Sequence, residues 1–262
     1  PGAFRDLDLS TDETLGDLEN PNSDKPCSVT GMVVGDVQSG KTANYVGLVA
    51  KALDSGYKMI IVMTGIYNAL RSQTQKRLMD SILHGEQKAS LGVNKPVFLT
   101  QMPEYHPIGP DGIRKIKNQN DFNAEKKLTF LNHDPAVLVI KKSVPILKTI
   151  LKWIAEQKGI EPTKEKFTWK DWSPKDIKDL PTHKLACDKS LLIIDDECDQ
   201  ASIDIAKRVT KKKLADMTPE ELLDFQETDP SKTNLLIRRI LTCFKKRAYV
   251  GYTATPIANV MI

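Results

Sequence analysis

Residues 29–53 read VTGMVVGDVQSGKTANYVGLVAKAL. The apolar run Val29–Val34 predicts a strand, and Thr42–Leu53 predicts an amphipathic helix stopped by Ser55 and Gly56. Between them, Gly35-Asp36-Val37-Gln38-Ser39-Gly40-Lys41-Thr42 matches the phosphate-binding pattern GxxxxGK[ST]. Its glycines let the backbone N–H groups wrap a triphosphate, with the following helix N-terminus aimed at the same charge. Gly35, Gln38, Ser39, Gly40, Lys41 and Thr42 are the expected ATP-binding residues. Lys41 would reach the β/γ oxygens and Thr42 would offer a hydroxyl to Mg²⁺. Four fixed positions recur by accident in roughly one chain of this size in a hundred. A match placed between a strand and a helix is rarer still.

Working outward, the same alternation continues. Met59–Met63, Val97–Thr100, Ala136–Ile140, Leu191–Ile194 and Ala248–Tyr252 predict further strands. Tyr67–Leu83, Val144–Ile154 and Leu235–Phe244 carry helical spacing. Continuous apolar strands separated by helices imply an α/β fold, a mostly parallel sheet covered by helices on both faces. Polar insertions interrupt it at about 103–135, 159–189 and 207–232. Residues 1–24 form an acidic N-terminal arm expected to fold against the body only in part, and 25–262 form the lobe.

Composition narrows the classes. The chain has 262 residues, 40% apolar and 27% charged, enough for a sizeable core. Its net charge of +4 divides into −6 over residues 1–24 and +10 over the rest, too mild a balance to announce a nucleic-acid binder. No apolar run is long enough to span a bilayer, and no membrane partner is expected. The four cysteines (Cys27, Cys187, Cys198, Cys243) lack close spacing, which fits reduced cytoplasmic thiols. The four histidines are scattered without zinc-ligand spacing. A start at Pro1 and an end at Ile262 in mid-flow suggest an excised fragment.

Two further motifs carry chemistry. Leu191–Asp199 reads LLIIDDECD, a strand that delivers acids at its carboxyl end. In phosphate-loop enzymes such acids hold Mg²⁺ and activate water. Asp196 would then hold the metal and Glu197 would act as general base, with Asp195 as the alternative metal residue. Gly251-Tyr252-Thr253-Ala254-Thr255-Pro256 follows another strand, and Thr253 and Thr255 would couple nucleotide state to movement.

The three motifs, in this order, resemble the first RecA-like lobe of superfamily-two helicases and translocases. GYTATP is similar to the branch containing restriction-enzyme motors. The strings VVGDVQSGKTANYVGLVAKALDSGYKMIIVMTGIYNALRSQTQKRL, LLIIDDECDQAS and AYVGYTATPIAN resemble the Z-one domain, a family named for an endonuclease role in prokaryotic restriction and phage-defence loci. The resemblance covers 29–82, 136–154 and 187–262. It implies an ATP-driven, nucleic-acid-dependent motor, cytoplasmic, with DNA or RNA and other defence proteins as partners. It also implies a second lobe with an arginine finger beyond Ile262, without which this fragment would hydrolyse little ATP.

In such a lobe the turns after the second and fourth strands face the bound strand. That makes Thr64, Gly65, Arg71, Gln73, Lys141 and Lys142 the candidate nucleic-acid contacts. A nuclease pattern can be written as Pro110-Asp111…Glu125-Lys126-Lys127, but the ExK part falls in a polar segment rather than on an apolar strand. The rival readings are an ATP-driven switch or assembly module that does not translocate, and a small-molecule kinase. The Thr-Ala-Thr turn disfavours the kinase.

Overall fold

Segments 59–63, 136–140 and 191–194 are unbroken apolar runs, the composition of strands covered on both faces. In the computed structural model they form the centre of an α/β fold. It describes residues 2–35, 40–65, 67–83, 96–98, 100, 104–105, 116–117, 135–157, 187–199 and 230–254. The chain order is α1 (Gly2–Asp17), β1 (Cys27–Val34), α2 (Lys41–Ser55), β2 (Met59–Thr64), α3 (Asn68–Leu83), β3 (Val97–Phe98), β4 (Glu104–Tyr105) and β5 (Ile116–Lys117). There follow β6 (Ala136–Lys141), α4 (Val144–Gln157), β7 (Cys187–Asp196), α5 (Pro230–Thr242) and β8 (Phe244–Thr253).

Six strands make one sheet in the order β1-β8-β7-β2-β6-β3, and every pairing in it is parallel. Strands β4 and β5 form a separate antiparallel pair. An all-parallel sheet places every strand's carboxyl end on one edge. Val34, Thr64, Lys141, Asp196 and Thr253 therefore finish together, with Val34 opposite Thr253, Asp196 opposite Tyr252 and Thr64 opposite Lys141.

Alternation along the strands splits the core in two. Met59, Ile61, Met63, Leu138, Ile140, Leu191 and Ile193 pack with Leu147, Ile150, Leu151 and Trp153 of α4 and with Leu236, Ile237 and Ile240 of α5. Ile60, Val62, Val137, Val139, Leu192, Ile194, Val250 and Tyr252 pack on the opposite face with Tyr45, Leu48 and Val49 of α2 and Leu78 of α3. Both faces are covered, as the apolar runs require. Among the described residues no helix is long and apolar enough to cross a membrane.

Three boundaries differ from the sequence reading. Cys187–Lys189 and Pro230–Lys232, expected in polar insertions, open β7 and α5 instead. Helix α5 stops at Thr242, so Phe244 starts β8 rather than ending the helix. The cause is pairing: the Cys187 N–H donates to the Cys243 carbonyl at 2.8 Å, and Cys187 lies opposite Phe244. Bonding to a neighbouring strand overrides the local polarity of Asp188 and Lys189.

The acidic arm is also more than a partly folded tail. Helix α1 lies against α2, with Thr11 and Leu18 buried. Lys51 on α2 sits 2.7 Å from Asp8 and 2.6 Å from Asp12. The Asn44 side-chain amide donates to Ser10 Oγ at 2.8 Å, and the Tyr57 hydroxyl donates to the Glu19 carbonyl at 3.1 Å.

Candidate functional site

Strand β8 runs between β1 and β7, and its last residues hold the loops that leave both neighbours. The Gly35 N–H donates to the Thr253 carbonyl at 3.1 Å, and the Cys198 N–H donates to the Tyr252 carbonyl at 3.0 Å. The start of the phosphate-loop motif and the acidic turn are thus two strands apart on one sheet edge, joined through β8. Gly40 opens α2 at φ 82, a left-handed conformation that favours glycine. Lys41 folds back, its Nζ donating to the Gly35 carbonyl at 2.8 Å. Gln38, Ser39 and Thr255 lie outside the described residues.

The two aspartates at the end of β7 face opposite ways. Alternation puts Asp196 on the α2 face with Leu192 and Ile194, where its charge acts on the Tyr45 phenol, whose hydroxyl lies 3.4 Å from Thr74 Oγ1. Burial, reinforced by the Asp196 charge, pushes the Tyr45 phenol up to about 12. Burial also raises the Asp196 carboxyl above its ordinary range. The Glu197 charge adds to that shift, while the Lys142 charge and the nearby Tyr45 hydroxyl oppose it. Asp195 shares the α4 face. It is fully buried, its Oδ1 2.8 Å from Lys142 Nζ and its Oδ2 accepting from the Tyr249 hydroxyl at 2.6 Å. Asp196 is therefore the carboxylate on the phosphate-loop side, and Asp195 is committed to an interior ion pair.

Glu197 leaves the strand at φ 55. For a residue with a side chain this left-handed conformation costs about 1–3 kcal/mol and persists only where the surroundings enforce it. Lys142 Nζ donates to the Glu197 carbonyl at 2.5 Å. The Glu197 carboxylate is turned toward the β2–α3 turn, where a Cβ added at Gly65 would stand 3.4 Å from its Oε2.

No family model, no curated protein and no solved structure matches the chain.

The residues expected to touch nucleic acid are largely interior. Lys142 is 0% exposed in its pair with Asp195. Arg71 is 1% exposed, donating to Gln75 Oε1 at 2.7 Å, and Gln75 in turn donates to the Thr100 carbonyl at 2.7 Å. Thr64 is buried, its hydroxyl donating to the Ile140 carbonyl at 3.3 Å, and Gly65 is buried beside Glu197. Gln73 is exposed and Lys141 half-buried. Lys142 and Thr64 thus link one element to another, and Arg71 is buried against Gln75 of its own helix, rather than offering a charged surface, a correction to the sequence reading. Conversely, the sequence reading passed over Tyr45, Asn44 and Tyr252. The Tyr252 hydroxyl donates to Asn44 Oδ1 at 2.8 Å, and the Tyr45 and Tyr252 rings meet edge to face at 5.6 Å. A period-of-two reading of Leu192, Ile194 and Asp196 against α2 was the available signal.

The donors suit Mg²⁺. The Thr42 hydroxyl in the first turn of α2 and the Asp196 carboxylate at the end of β7 are the hard oxygen ligands Mg²⁺ takes, one or two at a time, beside phosphate oxygens. Among the described residues no group of three His, Cys, Asp or Glu could hold a metal, and a phosphate-shared Mg²⁺ needs no such group.

Close packing at this edge gives a stability prediction. A Cβ at Gly251 would lie 2.7 Å from Cys198 Sγ and 3.1 Å from its Cβ. Gly251→Ala should therefore cost about 1–3 kcal/mol in urea unfolding, and Cys198→Ala should recover part of that loss. An unchanged midpoint for Gly251→Ala would show that the acidic turn is not packed against β8.

Proposed function

We propose that this chain is the ATP-binding, RecA-like lobe of a nucleic-acid-dependent ATPase. The observation that carries the reading is the convergence of Lys41 and Thr42 with Asp196 and Glu197 at one sheet edge, tied together through β8. Helix α2 points its N-terminus, opened by Gly40, at the position the phosphates would take. Lys41 would exchange the Gly35 carbonyl for phosphate oxygens. Thr42 and Asp196 would hold Mg²⁺, which supplies positive charge to the β/γ oxygens. Glu197, beside Gly65, would orient and deprotonate the attacking water. Thr253, with its carbonyl on the Gly35 amide, would carry changes in the phosphate loop into β8. The nucleic-acid side of the reading, and a restriction or phage-defence setting, are supported by the resemblance of the three motifs. Gln73 and Lys141 are the contacts the surface still offers.

Lys41→Ala tests it. Losing charge-assisted hydrogen bonds worth about 1.5–3 kcal/mol should weaken Mg-ATP binding roughly 10- to 100-fold. Calorimetric titration of the full-length protein reads the affinity. Turnover with and without single- and double-stranded nucleic acids reads the dependence. Wild-type affinity and wild-type turnover in the variant would remove the phosphate-loop assignment.

A further inference from the structure

We propose that Lys142 is a positioning residue for Glu197: anchored on Asp195, its ammonium holds the Glu197 main chain in the left-handed conformation that turns the carboxylate toward Gly65. The inference rests on Glu197 being the base proposed above. One buried ammonium bridges the residues on either side of Asp196, 2.8 Å from the Asp195 carboxylate and 2.5 Å from the Glu197 carbonyl oxygen. Both side chains of the ion pair are 0% exposed, and Tyr249 fixes the far oxygen of Asp195. The donor to Glu197 therefore has little freedom to move. Holding that carbonyl restrains the peptide after Glu197 and favours φ 55 over the ordinary right-handed alternatives.

The lysine is also placed to transmit movement. Its own N–H donates to the Thr64 carbonyl at 3.3 Å, and the next residue, Ser143, accepts the first bond of α4 from the Leu147 N–H at 3.1 Å. Lys142 thus stands where the β2–α3 turn meets the β6–α4 turn. A displacement of either turn reaches Glu197 through one ammonium, which ties the base to whatever binds those turns.

An uncharged pair of similar volume separates positioning from stability, because a buried ion pair replaced as a whole need not lose stability. In the full-length protein, K142M/D195N should unfold near the wild-type midpoint and bind Mg-ATP within about threefold of wild type. Its kcat should fall roughly 10- to 100-fold, as a displaced catalytic group costs. Added to E197Q, the same pair should cause no further loss, since the group it positions is already gone. An unchanged kcat in the folded double variant, or a loss that adds in full to that of E197Q, would overturn the proposal. If K142M/D195N does not fold, K142R must show the same split between kcat and affinity, and an unchanged kcat there overturns it equally. Failure of the wild-type protein to bind or hydrolyse Mg-ATP would be seen before any substitution, and would sink the proposed function together with this inference.

Discussion

Glu197→Gln in the full-length protein should bind Mg-ATP as the wild type does and hydrolyse it about 100-fold or more slowly. The substitution keeps size and hydrogen bonding but removes the carboxylate proposed as the proton acceptor. Glu197 is the one non-glycine residue with positive φ among the described residues, and its carboxylate sits at the carboxyl edge of the sheet beside Gly65. It is one residue past Asp196, whose carboxyl is raised above its ordinary range by burial. Neighbouring acids in these two settings can divide the work, one holding the metal and the other handling the proton. Equilibrium titration and steady-state turnover on the same preparation separate binding from chemistry. Unchanged turnover would move the base elsewhere on this edge.

The second large effect is on stability. Lys142→Ala should cost about 3–5 kcal/mol, because it strands the Asp195 carboxylate in the interior without its cation. Tyr249 would still donate to Oδ2, but a hydrogen bond does not replace an opposite charge 2.8 Å away. The Glu197 carbonyl would lose its donor as well. Denaturant unfolding of the variant should show a much lower midpoint, and Asp195→Asn in the same background should return most of it by removing the stranded charge. A solvated surface lysine would behave differently, with a change within about 0.5 kcal/mol. An effect that small would place Lys142 in water and contradict the buried pair.

Much of the architecture can be read along the chain. The runs 59–63, 136–140 and 191–194 have only one way to hide, on strands covered from both sides, and helical spacing in 144–154 supplies a cover. The phosphate-loop pattern between a strand and a helix places Lys41 and Thr42 at a helix start, where the structure has them. These are local properties, set by periodicity and by what glycine permits.

The other facts depend on which strands become neighbours. Lys141 and Lys142 read as contacts for a bound strand, and Lys142 becomes interior only because β2 lies between β6 and β7 and lets it reach Asp195 across its end. The choice between Asp195 and Asp196 turns on which face of the sheet carries α2, a property of the crossover rather than of LLIIDDECD. The acidic arm, expected from its sequence to fold against the body only in part, is held as a helix where Lys51 and Asn44 on α2 meet it. Local pattern specifies the elements and the burial each one needs. Ion pairs, hydrogen-bonded turns and the direction of an acid are contacts between residues tens to more than a hundred positions apart, and they exist only once the parallel sheet has brought its carboxyl ends together.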